Sequence, residues 1–307
     1  MHHSKQKCLK NLTTACKKRK KVVQMKTVAI EKLPAAPYRP LIELSRRVAA
    51  EGSVLLKNEG NLLPLTKQQK ISIFGRTQIN YYKHGIGSGG LVNTEYVVNI
   101  LDGIRNNPNL TLNEELVSVY ESWLADNPVE TTPGWYNAPR SQFEMVPDEK
   151  TVREAREQSD VAVIVIGRTA GEARDNSAEK GSWYLTDEEE AMIKIVSEHF
   201  DKTVALLNTG NIMDMCWVER YGIKSVLYIW QGGQEGGNAV ADLLCGDVTP
   251  SGKLSDTIAR DISLYPGVEH FGSEKENLYI EDIYVGYRYF ETFKKDEVIY
   301  PFGFGLS

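Results

Sequence analysis

From Leu41 onward, apolar residues recur as Leu41-Ile42, Leu44, Val48-Ala49 and Val54-Leu55-Leu56, spacings that line one face of a helix. Gly60 and Pro64 close this segment, and the proline-bounded stretch 34–40 before it reads as an extended linker. Ile71-Ser72-Ile73-Phe74-Gly75 is a short strand pattern that opens into a glycine-rich loop, residues 84–90, ahead of a helical segment from about Thr94 to Arg105. The unit then repeats. Residues 161–167, 203–208 and 225–230 are β-branched and apolar runs, and the helix patterns that accompany them cover 187–199, 213–221 and 235–245. Thr186 is placed to cap the first of these, with Glu189 three residues later completing a capping box. Strands that are apolar throughout and alternate with helices predict an α/β fold: a mostly parallel sheet with helices on both faces, an α/β sandwich of three layers.

Two stretches break the alternation. Residues 126–147 hold Pro128, Pro133, Pro139 and Pro147 together with Trp135, Tyr136 and Phe143, which suits a long functional loop rather than a regular element. After Asp256 the chain becomes irregular and aromatic, with Tyr279, Tyr284, Tyr287, Tyr289, Phe290, Tyr300, Phe302 and Phe304. No internal repeat is evident.

Composition and charge narrow the function classes. With 307 residues, 41% apolar and 25% charged, the chain has the material for one large core or two ordinary ones. No run of 18 apolar residues occurs and the basic start is not followed by an apolar stretch, so neither a membrane span nor a secretory signal is expected, and a cytoplasmic location is. Residues 1–32 carry ten Lys or Arg and one acid, so removing their +9 from the overall −5 leaves the body at −14. An acidic body behind a Lys-rich leader without interleaved aromatics argues against nucleic acid as a partner; residues 1–39 are expected to be a disordered leader and linker and 40–307 the domain. Cys8, Cys16, Cys216 and Cys245 lack metal-site or disulfide-framework spacing, and Cys216 and Cys245 are expected as ordinary buried thiols. Gly85-Ile86-Gly87-Ser88-Gly89-Gly90 follows a strand, yet it lacks the Lys-Ser/Thr of a P-loop and the dinucleotide spacing, so it reads as a tight turn allowing close backbone approach. No cofactor or metal is expected.

The stretch with chemical potential is Ile166-Gly167-Arg168-Thr169-Ala170-Gly171-Glu172-Ala173-Arg174-Asp175, just past the carboxyl end of a buried strand, where open α/β sheets bind ligands. Three charged residues, Arg168, Glu172 and Asp175, share a loop made pliable by Gly171. Composition alone favours a solvated surface loop with local ion pairs.

With Gly181-Ser182-Trp183-Tyr184-Leu185-Thr186 following it, this loop resembles the acid/base loop in the C-terminal domain of family 3 glycoside hydrolases of the β-glucosidase type. Further segments are similar to that family: Arg47 through Glu59 with Leu63-Pro64-Leu65, Gly87-Ser88-Gly89, Trp230 through Gly237, Pro250-Ser251-Gly252-Lys253-Leu254, Val285 through Phe290 and Tyr300 through Ser307. The resemblance runs from about residue 40 to the last residue. It implies retaining hydrolysis of a β-linked glucoside or related oligosaccharide, with Glu172 as general acid/base and Arg168, Asp175, Trp135 and Trp183 as sugar-binding residues. It also implies a catalytic Asp on a (β/α)₈ barrel that this chain does not contain, so the isolated chain is expected to be inactive. Ala173-Arg174 departs from the Gly and aromatic residue that relatives often carry there. Trp135, Tyr136, Trp183 and Trp230 are the expected interface to the missing barrel, with self-association where that face is uncovered. An inert fragment or interaction domain, a β-xylosidase-type substrate, and a nucleotide- or flavin-binding α/β protein are the competing readings.

Overall fold

The computed structural model describes residues 39–88, 90, 92–131, 138–172 and 174–307. Trp135, Tyr136, Cys8, Cys16 and the basic leader lie outside the described residues.

Helix α1 (Arg39–Gly52) is followed by β1 (Val54–Asn58), β2 (Gln69–Phe74), α2 (Ile100–Asn106), β3 (Leu110–Leu112), α3 (Glu114–Asp126), α4 (Glu149–Gln158) and β4 (Val161–Arg168). Then come α5 (Asp187–His199), β5 (Lys202–Thr209), α6 (Cys216–Arg220), β6 (Ser225–Tyr228) and α7 (Gly236–Cys245). The six strands form one sheet in the order β1-β6-β5-β4-β2-β3, parallel throughout except for β1, which pairs antiparallel with β6. Beyond it, β7 (Ile258–Ala259), α8 (Tyr287–Phe293) and β8 (Val298–Tyr300) belong to an irregular carboxyl-terminal region.

The two-residue period of the strands divides the core into two. Ala162, Ile164 and Ile166 of β4, with Ala205 and Leu207 of β5, face one cluster that is closed by Val152, Met192, Val196 and Trp217 from α4, α5 and α6. Val161, Val163, Val165, Val204 and Leu206 point the other way, against Ile100, Ile104, Val240 and Leu244 of α2 and α7. The expected three-layer α/β sandwich follows directly: strands buried on both faces are apolar over most of their length, and every residue of β4, Arg168 at its end included, is buried. The second face is tight. A Cβ on Gly237 would lie 1.8 Å from the Asn99 carbonyl oxygen and one on Gly103 2.0 Å from that of Gly237, so α2 and α7 meet backbone to backbone.

Several sequence expectations change. Val54-Leu55-Leu56 does not continue the first helix. Gly52 and Ser53 end α1, Ser53 N–H turns back to the Ala50 carbonyl, and the following residues pair with β6 from Val54↔Tyr228 to Asn58↔Ser225. The helix expected from Thr94 starts at Ile100, because Val98 is taken up in bonds across to residues 234–237 and Asn99 caps the Asp102 N–H. Leu306 N–H donates to the Leu55 carbonyl, so the terminal Pro-Phe-Gly-Phe-Gly-Leu motif lies on the outer edge of β1. Cys216 and Cys245 are free thiols, half-buried. Among the described residues, no helix is long and apolar enough to cross a membrane.

Candidate active site

The carboxyl ends of β2, β4, β5 and β6 meet at one place. A Cβ on Gly85, past β2, would sit 2.8 Å from the Ala170 carbonyl oxygen; one on Gly210, past β5, would sit 2.9 Å from both the Ala170 Cβ and the Gln231 Oε1. Loops from four strands thus converge on Ala170, at the edge where ligands enter such sheets.

Glu172 is held there by a short added ladder. Ile86 N–H donates to the Ala170 carbonyl at 2.7 Å, Glu172 N–H donates to the Ile86 carbonyl at 3.3 Å, and Ser88 N–H donates to Glu172 Oε2 at 3.0 Å. Glycine is required twice. Gly171 has φ +135° with a Cβ that would lie 2.2 Å from the Ile86 oxygen, and Gly87 has φ +102° with a Cβ that would lie 2.5 Å from the Glu172 Cβ. The glycine-rich loop is therefore the close-approach turn expected from its sequence, and what it approaches is Glu172. The carboxylate is exposed, and no salt bridge engages it among the described residues.

Arg168 and Trp183, expected to bind sugar, face inward instead. Arg168 is 3% exposed and its five N–H groups are all engaged: Nε donates to the Ser182 carbonyl, Nη1 to the Gly167 carbonyl and to Glu189 Oε1, Nη2 to the Tyr184 carbonyl and to Glu189 Oε2. No donor remains for a sugar hydroxyl. Trp183 is 1% exposed, with its ring edge-on to Tyr265 at 5.5 Å between centroids. Trp230, at φ +52°, packs on Tyr228 and donates its indole N–H to the Gly52 carbonyl, which makes it half-buried rather than an open interface residue.

Asp175 keeps an exposed place. It borders a polar cleft of about 260 Å³ together with Asn176, Asn211, Trp230, Ser255 and Asp256. Asn211 Nδ2 donates to the Arg174 carbonyl at 3.2 Å and to Asn176 Oδ1 at 3.3 Å, tying the loop after β5 to the one after β4. Neither asparagine was singled out in the sequence, although Thr209-Gly210-Asn211 directly follows a buried strand and carries the same edge signal. Arg140 was also missed. Its carbonyl accepts from Thr169 N–H at 2.7 Å and its Nε donates to the Asp175 carbonyl at 3.1 Å, bracing the loop from outside.

A second ionisable group lies deeper. Glu144 is 3% exposed and accepts from the backbone N–H groups of Arg76 and Met145, yet burial outweighs these bonds and pushes its carboxyl up to about 8. Among the described residues no group of three or more His, Cys, Asp or Glu is arranged to hold a metal ion.

Residues 53–307 match the family model of the glycosyl hydrolase family 3 C-terminal domain. A β-glucosidase of Ruminococcus albus is 47% identical over 270 residues, covering 88% of this chain and 28% of the relative; β-glucosidase A of Butyrivibrio fibrisolvens is 37% identical over 294 residues, covering 87% and 35%. Among solved structures, a β-glucosidase from Paenibacillus barengoltzii is 51% identical with a TM-score of 0.85, over 90% of this chain and 30% of that one. β-Glucosidase 3B from Thermotoga neapolitana, in complex with glycerol, is 39% identical with a TM-score of 0.77, over 86% and 37%. The chain thus spans about a third of the length of these relatives. The convergent loops at the sheet edge, the matched 53–307 and the shared fold lead to one assignment: the chain belongs to glycoside hydrolase family 3, as its C-terminal domain.

Proposed function

We propose that this chain is the acid/base-bearing domain of a retaining β-glucosidase, with Glu172 as the acid/base and the attacking Asp supplied by a (β/α)₈ barrel outside the chain. The observation that carries the reading is the placement of Glu172: an exposed carboxylate on a glycine-hinged loop at the convergent sheet edge, gripped at Oε2 by Ser88 N–H while Oε1 has no hydrogen-bond partner among the described residues. Retaining hydrolysis uses two carboxyls about 5–5.5 Å apart on opposite sides of the scissile bond. In the first step the barrel carboxylate bonds to the anomeric carbon as Glu172 passes its proton to the departing oxygen. In the second, Glu172 takes a proton from the water that attacks the glycosyl ester, which restores both groups. Asp175 and the cleft of Asn176 and Asn211 are candidate contacts to the outer part of the substrate.

The need for a partner domain is supported by uncovered apolar surface. Phe271, Tyr279, Ile283, Val285 and Phe293 are 68%, 86%, 66%, 53% and 55% exposed in the carboxyl-terminal region, apolar surface of the kind a partner domain would cover. The test is Glu172→Ala in a longer enzyme that contains this domain. Substrates with poor leaving groups should lose at least about 100-fold in kcat/KM, activated aryl β-glucosides far less, and azide should restore turnover of the latter. Equal losses for both substrates, with no effect of azide, would remove Glu172 from the role. Hydrolysis of an aryl β-glucoside by the 307-residue chain alone would remove the two-domain reading.

A further inference from the structure

The loop that carries Glu172 leaves the sheet at Arg168 and comes back beside that residue at Ser182, where Trp183 is buried and α5 begins a few residues on. Arg168 spans that gap with its own side chain. Its Nε and Nη2 reach the carbonyls of Ser182 and Tyr184, 14 and 16 residues along the chain, while Nη1 and Nη2 close on both carboxylate oxygens of Glu189 at 2.5 and 2.6 Å. Glu189 Oε2 also accepts from Thr186 N–H, and Glu189 N–H donates to Thr186 Oγ1, so the same residue closes the capping box of α5. The two side chains are 3% and 4% exposed. Buried ion pairs of this kind add little stability over an apolar pair of the same size; what a planar five-donor fork adds is a fixed geometry.

We infer that Arg168 is a positioning residue for Glu172: paired with Glu189, it closes residues 169–181 into a ring whose two ends cannot separate. The inference rests on the acid/base reading of Glu172 for its meaning, though not for its geometry. Closing the ring removes most of the loop's freedom before substrate arrives. The remaining adjustment lies at the Ile86 ladder, which holds Glu172 through backbone N–H donors of Ile86, Ser88 and Glu172 itself. Lysine cannot stand in for Arg168, because three donors on one nitrogen cannot serve three carbonyls and both carboxylate oxygens spread along 22 residues.

Hydrogen exchange on the 307-residue chain tests this. Removing one charge would leave the other buried and unpaired, so the decisive variant is the double Arg168→Met, Glu189→Leu, which keeps the volume and loses the fork. The amides of Thr169, Glu172 and Arg174 should exchange at least tenfold faster than in the parent, while those of Val163 and Val165 in β4 keep their rates. Arg168→Lys, which retains the charge pair, should show the same loop selectivity to a smaller degree. Unchanged loop exchange overturns the inference, as does a uniform rise that includes Val163 and Val165, which would make the pair a support of the fold at large. A failure of azide rescue in Glu172→Ala leaves these exchange rates untouched and strikes only the acid/base reading. In the longer enzyme the double variant should lower kcat for poor leaving groups with little change in KM.

Discussion

Gly87→Ala should separate the glycine-rich loop from the segment that carries Glu172. At φ +102° a side chain costs about 1–3 kcal/mol in backbone strain. The new Cβ would also lie 2.5 Å from the Glu172 Cβ, where two carbons settle at about 3.5–4.0 Å, so one segment must retreat by about 1 Å or more. Opposing that retreat are three hydrogen bonds, Ile86 N–H to Ala170, Glu172 N–H to Ile86 and Ser88 N–H to Glu172, at about 1 kcal/mol each. Strain and overlap together match or exceed that sum, so opening the ladder is the lower-energy response and the loss of stability is capped at about 3 kcal/mol. The amides of Ile86 and Glu172 should then exchange up to about 100-fold faster, with the urea midpoint falling only modestly. Gly60→Ala is the control. Gly60 also has positive φ, at +66°, but nothing stands within 4 Å of its Cβ, so it should lose about 1–2 kcal/mol without any change at Glu172. Equal responses at the two positions, with Ile86 and Glu172 still protected, would refute the close approach. In a longer enzyme, if Glu172 is the acid/base proposed above, a displacement of about 1 Å there corresponds to roughly 100-fold in rate.

Because burial raises Glu144 to about 8 from an ordinary 4.5, the folded chain holds a proton that the unfolded chain releases across that window. Its contribution to stability is complete below about pH 4.5 and is lost as the pH rises through about 8, by up to about 1.4 kcal/mol per pH unit; Glu144→Gln should flatten that decline in urea titrations, and an unaltered slope would dismiss it. Ile283→Ser, at a residue 66% exposed, should reduce binding of a hydrophobic dye and any self-association of the isolated chain while shifting stability by no more than about 0.5 kcal/mol; unchanged dye binding would mean that this surface is not the one left uncovered.

Most of the fold was legible because its strands advertise burial on both faces. β4, β5 and β6 have apolar, β-branched centres that are buried on both faces, and α5 begins with a readable capping box that the structure contains. Where tertiary pairing decides, the pattern misled. Val54-Leu55-Leu56 suits a helix face or a strand, and only β6 selects the strand. The polar α4 buries just Val152 and Ala155, too little periodicity to register. At the candidate site, the family resemblance implied Arg168 and Trp183 as sugar contacts beside Glu172, but which way a side chain leaves the end of a strand is invisible in one dimension. Arg168 turns inward because the Glu189 carboxylate is buried opposite it, a partner 21 residues away. The role of Gly87 lay equally out of reach as a contact, though the density of glycines correctly announced that some backbone approaches there.

The antiparallel pairing of β1 with β6 sets an order of events during synthesis. Asn58 and Ser225, partners at one end of that ladder, are 167 residues apart, an interval of about 10–30 s at about 5–20 residues per second. Throughout that interval the first strand of this sheet has no partner, and Val54 and Leu56, both fully buried once folded, stay open to other chains. Its neighbour α1 waits longer still, since Arg46 pairs with Asp242 of α7 at a separation of 196 residues. Folding of this domain is therefore closed by its amino-terminal strand rather than begun by it, and yield in expression should depend more on how fast residues 225–245 arrive than on the stability of the finished sheet.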